Sequence, residues 1–524
     1  MNLSLKWCLL IVLAAAVALL LRLPKLDLRP MHADEAVNAL QFGKLLEEKT
    51  YIYNPEEFHG PTLSYFTLIP AWLSKYSKIS QVNETALRIV PVFFGILLIL
   101  LVFLISDGLG KIASVFIAFL TAVSPAFVFF SRYYIHEMLL VCFTFALIVF
   151  SYRYIKSKNV LWIVFAGLSA GLMFATKETS VLAFASMLIA CLLLRLEKPA
   201  SQRLSFLKAI KPLHLLLFVA SAIIVSAVFY SSFFKNPHGF VDSFSTYKNY
   251  FSRGLQNNLH SHPWYYYLRI LIWPADGSVP VVSEALILLL AFYCLILSAV
   301  AKLPKDSDIN LMRFISFYTF VLTVIYCLMP YKTPWCLLSF LHGMILMAGF
   351  AVSTIIGYFS RPLTKVLTIL LFSIGLLGLA LQSGVSSFMY YANPSNPYVY
   401  AHTTKDILVL RDRMQQIASA SPDGYNVRVD VVVSQNYWPV PWYLRSFPNV
   451  AYYKKFDSSV QPAPVFIISS DLENDALNFL YELPPPGRRN LYVPLFDSIT
   501  LRPGVELLGL VTNDLSEKIK NNKE

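Results

Sequence analysis

The segment Met31–Thr62, MHADEAVNALQFGKLLEEKTYIYNPEEFHGPT, places two adjacent carboxylates, Asp34 and Glu35, directly after a long apolar run. An acid at the start of an amphipathic helix accepts backbone N–H bonds and suits the positive end of the helix dipole. One carboxylate is enough for that task. A carboxylate at a membrane–water boundary has a second use: partial desolvation raises its basicity, as a general base requires. The two readings are compatible. Glu137, in SRYYIHEMLL, stands at the mouth of another apolar run, where ionisable groups are costly and usually functional. Its structural alternative is an interfacial residue paired with Arg132. Lys177 and Glu178, in FATKETSVLAF, fall between two apolar runs. They read either as a charge pair capping a tight helical hairpin or as an ammonium aimed at an anion, which Lys binds as a point charge. Lys332 in PYKTPWC, together with Arg269 and His262, adds positive or titratable groups. His59 and His136 show no metal-ligand spacing, so simple hydrogen bonding is the plainer reading for both.

The elements that must position these residues are membrane helices. The chain has 524 residues, 56% of them hydrophobic and 14% charged, where a soluble domain carries about 25% charge. Mean hydropathy is +0.57. The net charge of +12 comes mostly from short loops between apolar runs, where basic residues orient helices and meet anionic lipid; this argues against nucleic-acid binding. The fold expected is a polytopic α-helical membrane protein with about eleven runs long enough to span a bilayer. Their limits are 7–23, 87–106, 111–130, 137–154, 160–176, 179–195, 213–233, 282–300, 313–330, 336–357 and 365–383. The first reads as an uncleaved helix, because its apolar stretch continues past the weak cleavage site Ala16-Val17-Ala18.

Every second loop is basic: Arg153, Lys156 and Lys158; Arg195, Lys198, Arg203, Lys208 and Lys211; Lys302, Lys305 and Arg313; Arg361 and Lys365. These loops are expected inside, which puts the N-terminus in the cytoplasm and the C-terminal tail outside a multi-pass protein of the cell (plasma) membrane. Arg22, Lys25 and Arg29 break the rule. Asp34, Glu137, Lys177 and Lys332 then share the outer face. Acids and cations on one lipid-bordered face fit a lipid-phosphate substrate. The first outer loop, 24–86, should hold an amphipathic helix from Asp34 to Glu48 with Ala36, Leu40, Phe42 and Leu45 on its apolar side, and a second helix over 61–79 begun by Pro61.

From residue 384 the pattern changes. TTKDILVLRDRMQQIASAS has helical period, VRVDVVVS and PVFIISS read as buried strands, and DLENDALNFLYEL as another helix. This predicts a membrane domain over 1–383 and an extracytoplasmic α/β domain over 384–524. In SQNYWPVPWYLRSF, the aromatics Tyr437, Trp438, Trp442 and Tyr443 read either as a sugar or acceptor surface or as packing. The six cysteines are scattered through apolar segments and read as small buried residues.

In order and spacing these motifs resemble the GT-C superfamily of polyprenyl-phosphate-dependent glycosyltransferases, of the protein O-mannosyltransferase and aminoarabinose transferase type. HADEA followed by EFHGPTLSYF is similar to that family's acidic pair and aromatic–proline segment. SRYYIHEMLLVCFTFAL is similar to its second acidic motif, AGLSAGLMFATKETSVLAF to its Gly-rich helix, and YKTPWCLLSFLHGMILMAGFA to its late Lys–aromatic–Pro turn. The HADEA…HGP form with the YWPVPWYLR tail also resembles a subgroup of flippase-associated glycosylation proteins. The resemblance covers residues 1–380. It implies Asp34 as base on the acceptor, Glu35 and Glu137 as further catalytic acids, and Lys177 near the donor phosphate. His59, Arg132, Glu178, Arg269 and Lys332 are the implied substrate-binding set. Where relatives carry a phosphate-binding Lys before the proline, this chain has Gly60. The implied partners are a polyprenyl-phosphate-linked sugar donor, membrane lipids, and a protein, lipid or glycan acceptor; the cofactor is left open, with a divalent metal as one alternative that the motifs do not require. Two rival readings remain at this stage, a lipid-linked sugar flippase or transporter and a non-catalytic scaffold of a glycan-assembly complex. A transporter predicts repeated halves and broken helices around the bilayer midplane.

Overall fold

The computed structural model describes residues 5–196, 211–254, 260–272, 282–300, 307–485, 487 and 489–521. Lys198, Arg203, Lys208, Lys302 and Lys305, expected in inner loops, lie outside the described residues. Two compact units form: Met1–Leu26 with Glu48–Ser74 and Thr85–Tyr400, and Asp27–Glu47 with Lys75–Glu84 and Ala401–Glu524.

In the first unit, each of the eleven apolar runs is helical. The helices are α1 (Leu5–Arg22), α4 (Glu84–Leu100) continuing as α5 (Val102–Leu109), α6 (Lys111–Val123) with α7 (Pro125–Phe130), α8 (Glu137–Ser157), α9 (Val160–Phe174), α10 (Ser180–Leu196), α11 (Pro212–Tyr230), α14 (Ala285–Ala299), α15 (Ile309–Leu328), α16 (Leu338–Tyr358) and α17 (Pro362–Gly384). Among the described residues, seven spans are long and apolar enough to cross a membrane, or eight with the bent pair α6–α7. Helices α9, α10 and α14 are apolar but shorter, at 15, 17 and 15 residues. Their surfaces sort them. Only 22% of the α11 window and 11% of the window that includes α17 is buried, as suits a lipid solvent, whereas α8 is 78% buried and runs through the interior with Glu137 at its start.

Two local devices position the elements around Glu137. In AGLSAGL, glycines four apart on α9 let α11 approach closely: a Cβ on Gly171 would lie 2.5 Å from the Ala222 carbonyl oxygen, and one on Gly167 2.3 Å from that of Phe218. Small residues at this spacing serve as a helix seam where lipid supplies no hydrophobic drive between helices. The second device is the 55° bend between α6 and α7. Pro125 has no N–H and cannot continue α6, so the bend frees backbone groups that hydrocarbon will not satisfy. Arg22 donates to the carbonyls of Ala122 (2.6 Å) and Thr121 (2.9 Å), and the Ser383 hydroxyl to that of Val123 (2.6 Å). On the other side the Glu284 carboxylate accepts from the Ser124 hydroxyl (2.6 Å) and the Ala126 amide (2.9 Å). A cation thus closes the C-terminus of α6 and an anion the N-terminus of α7, each matching the helix dipole. Arg22 is fully buried; its departure from the charge bias of the loops is structural.

The second unit contains a five-stranded sheet, β1 (Val429–Val432), β2 (Val450–Tyr453), β3 (Val465–Ser469), β4 (Tyr492–Arg502) and β5 (Val505–Thr512), in the order β2-β1-β3-β5-β4. The first three pair in parallel; β5 pairs antiparallel with β3 and β4. Strands β1 and β3 are buried throughout, as their mostly apolar residues require; the buried Asp430 in β1 is paired with Arg428 at 3.0 Å. Helix α18 (Ile407–Ala420) precedes β1, α19 (Val440–Tyr443) follows it, α20 (Glu473–Leu477) follows β3, and α21 (Asn513–Asn521) ends the described chain. Parts of the first loop belong to this unit: Asp27–Glu47, with most of α2 (Ala33–Glu48), and Lys75–Glu84. The helix α3 (Thr62–Leu73) is shorter than the 61–79 expected and stays with the first unit.

Candidate active site

In the first unit, α8 begins at Glu137 and the turn between α9 and α10 presents Lys177 and Glu178. These adjacent charges do not pair with each other; they diverge. The Lys177 ammonium is hydrogen-bonded to the Glu137 carboxylate, and both side chains are buried, 6% and 3% exposed. Burial works against the charged ammonium, and the Glu137 carboxylate outweighs it, so the pKa of Lys177 is raised. Arg132, the partner expected for Glu137, instead reaches the carbonyls of Arg22 (2.6 Å), Pro24 (2.7 Å) and Lys25 (2.8 Å), and so holds the chain that leaves α1.

Glu178 takes the other direction. Its Oε2 lies 2.8 Å from His59 Nδ1, and its Oε1 accepts from the Tyr53 hydroxyl at 3.4 Å. Burial pushes the carboxyl up, while His59 and its hydrogen bond overcome this and hold it below the usual range. His136 stands edge-on to His59, with ring centroids 5.2 Å apart. Its Nε2 is 3.0 Å from the Gly60 carbonyl; an oxygen acceptor there puts the proton on Nε2. Burial, then His59 and Lys177, drive the His136 pKa well below the ordinary value. Tyr53 joins this cluster through Glu178 and was not singled out from the sequence. Its only signal was an aromatic, proline-bearing loop.

Gly60 has a plain steric cause. The Gly60 amide donates to the Thr176 carbonyl (3.2 Å) and the Thr62 amide to that of Ala175 (3.3 Å). A Cβ at Gly60 would sit 2.1 Å from the Ala175 carbonyl oxygen, so this backbone accepts no lysine. The two sequence motifs EFHGPT and FATKETS are laid side by side by these bonds. Lys332 is buried, and its ammonium donates to the carbonyls of His262 (3.0 Å) and Met329. Burial lowers its pKa. Arg269 lies exposed in the last turn of α13 (Tyr266–Ile272). A cavity of about 530 Å³ opens between the far end of α8, α10 and the start of α15; its lining, including Leu147, Tyr152, Met187, Arg195 and Leu311, contains none of these residues.

In the second unit, the acidic pair divides. Glu35 is fully buried and takes Arg29 at 2.9 Å on Oε2, which also accepts the His32 amide at 3.0 Å. The helix-start role expected of Asp34 therefore falls to Glu35. Asp34, one residue earlier, leaves 54% of its side chain exposed and lies 4.0 Å from His32 Nδ1. Among the described residues no group of three or more His, Cys, Asp or Glu could hold a metal ion.

Residues 67–230 match the family model for dolichyl-phosphate-mannose-protein mannosyltransferases. No curated protein matches the chain in sequence. Among solved structures, ArnT from Cupriavidus metallidurans bound to undecaprenyl phosphate superposes with a TM-score of 0.65 at 15% identity, over 98% of this chain and 99% of that one. The archaeal oligosaccharyltransferase AglB from Archaeoglobus fulgidus, in complex with an inhibitory peptide and a dolichol-phosphate, superposes with a TM-score of 0.55 at 12% identity, over 90% of this chain and 70% of that one. Over residues 67–230 the chain thus matches that mannosyltransferase family model, and over most of its length it shares the fold of these membrane proteins.

Proposed function

We propose that this protein transfers a sugar from a polyprenyl-phosphate donor to a protein, lipid or glycan acceptor at the outer face of the cell membrane, with inversion and with Asp34 as the base. The observation that carries the reading is the division of the acidic pair: Glu35 is locked in a buried ion pair, and Asp34 keeps an open carboxylate on the same turn. A base must reach the proton it removes, and of the two only Asp34 is accessible. In a direct displacement, the acceptor oxygen attacks the anomeric carbon as the bond from that carbon to the phosphate oxygen breaks. The acceptor proton passes to the Asp34 carboxylate, and polyprenyl phosphate leaves with the bonding electrons. The phosphate gains negative charge in the transition state, where a positioned cation helps more than in the ground state. Lys177, neutralised by Glu137, serves with Glu137 as framework, and Glu178 with His59 fixes the loop that carries Gly60. The lipid tail of undecaprenyl phosphate bound to ArnT and of dolichol-phosphate bound to AglB supports the donor class.

The test reconstitutes the full-length protein in nanodiscs with radiolabelled polyprenyl-phosphate mannose, glucose or arabinose and an extract of native membranes. Label should move to an acceptor with inverted anomeric configuration, read by NMR of the product. Translocation of the donor without transfer would identify a flippase. An assembly defect in a deletion strain, with no transfer in vitro, would identify a scaffold.

A further inference from the structure

Asp34 does not stand on a free loop. The chain just before it is gripped by the C-terminal domain at successive atoms. The Met31 amide donates to the Tyr443 hydroxyl at 3.0 Å, and the Met31 carbonyl accepts from the Thr403 hydroxyl at 2.7 Å. Met31 is fully buried, so both ends of its peptide are fixed away from water. The next residue, His32, stacks its ring on that of His402, centroids 6.2 Å apart and planes 25° apart. The same His32 ring accepts the Asp34 amide on Nδ1 at 3.1 Å. A continuous path therefore runs from Thr403, Tyr443 and His402 through Met31 and His32 to the backbone of Asp34.

The far end of α2 is held as well. Glu47 accepts the Ile79 amide at 2.7 Å, and Gly43 packs so closely on Ile79 that a Cβ would lie 2.8 Å from its side chain. The segment after Ile79 is tied down by YWPVPWYLR: the Trp442 indole donates to Glu84 at 2.8 Å, and Arg445 donates to the Val82 carbonyl at 2.9 Å. Trp442 is fully buried and Tyr443 only 6% exposed. Of the four aromatics in that segment, these two are anchors for the first loop and not a ligand surface.

We infer that the C-terminal domain is a working part of the catalytic apparatus: Thr403, Tyr443 and His402 are positioning residues that set the direction of the Asp34 carboxylate through Met31 and His32. Positioning of this kind is worth a great deal in rate, since a displacement of about 1 Å can cost on the order of 100-fold. The inference rests on Asp34 being the base.

Its test uses the full-length protein in nanodiscs, with the labelled polyprenyl-phosphate sugars named above. Thr403→Val and Tyr443→Phe each remove one hydroxyl and keep the shape; the double variant removes both grips. The double variant should lose on the order of 100-fold in kcat with the donor KM within about threefold. Thr403→Ser, which keeps the hydroxyl, should restore activity to within about threefold of wild type. In an Asp34→Asn background the same substitutions should cost nothing further, as for groups acting through one residue. Hydrogen exchange gives a readout without turnover: amides 31–36 should exchange faster in the double variant, with β1 and β3 unchanged. Wild-type kcat and wild-type exchange at 31–36 in the double variant overturn the inference while leaving Asp34 as base. A general loss of protection across the sheet, with no rescue by Thr403→Ser, overturns it as well. Full transfer by Asp34→Asn would instead remove the reading on which it rests.

Discussion

Replacing Glu137 by Gln should leave the Lys177 ammonium charged and buried without its counter-ion. The pair is 3% and 6% exposed, so water screens little of the loss. Removing one partner of a buried ion pair typically costs about 3–5 kcal/mol, whereas replacing both by apolar residues of similar volume is often neutral. Glu137→Gln should therefore lower the unfolding free energy by about 3–5 kcal/mol, Lys177→Met by a comparable amount, and the pair Glu137→Met/Lys177→Met by about 1 kcal/mol or less. The coupling free energy of this cycle is then several kcal/mol, far above the 0.3–0.5 kcal/mol scatter about additivity that is roughly usual for distant sites. A reversible SDS titration of the reconstituted protein, followed by tryptophan fluorescence, measures all three. If Glu137→Gln costs less than about 1 kcal/mol, or if the double substitution costs the sum of the singles, the pair does not carry the energy assigned to it.

The other consequences are open to simpler measurements. His136 is held neutral by burial, its folded pKa below the unfolded value of about 6.5. Its contribution is complete above that pH and is lost as pH falls through it, with a slope approaching about 1.4 kcal/mol per pH unit; unfolding of His136→Gln between pH 7.5 and 5 should be correspondingly flatter. The depressed Glu178 carboxyl acts in a lower window, below about pH 4.3, as it becomes protonated. Gly60→Ala should cost at least about 1–3 kcal/mol, because its Cβ meets the Ala175 carbonyl, and transfer activity should fall with it. Arg22→Met strips the donors from the Thr121 and Ala122 carbonyls and should cost about 1–3 kcal/mol for each left unsatisfied, read in the same SDS titration.

Much of the membrane unit was legible because its signal is long and strong. Each of the eleven apolar runs became helical, although the run expected unbroken over 111–130 is bent by 55° at Pro125. The sheet was half legible. The strands β1 and β3 are Val, Ile and Phe apart from Asp430 and Ser469, while β2 shows only VAYY, and β4 carries Pro494 and irregular register, which conceal its period. The domain boundary is expected at 384, and the second unit resumes at Ala401. The pieces it takes from the first loop were invisible, because the bonds from Thr403 and Tyr443 to Met31 join residues 372 and 412 positions apart. In the site, residue types were readable and partners were not. Lys177 and Glu178 looked like a pair, but a tight turn points consecutive side chains apart, and each found its counter-charge on another element. Gly60 looked like a lost phosphate ligand until its backbone contact with Ala175 gave it a reason.

The measurement closest to the central claim compares Asp34→Asn with Glu35→Gln in the sugar-transfer assay, with stability read on the same preparations. The account predicts that Asp34→Asn keeps wild-type stability and loses about 10²–10⁴-fold in transfer, as removal of a general base does. Glu35→Gln should lose stability first, because Arg29 is left buried without its carboxylate. Transfer at the wild-type rate by a stable Asp34→Asn protein would contradict the account.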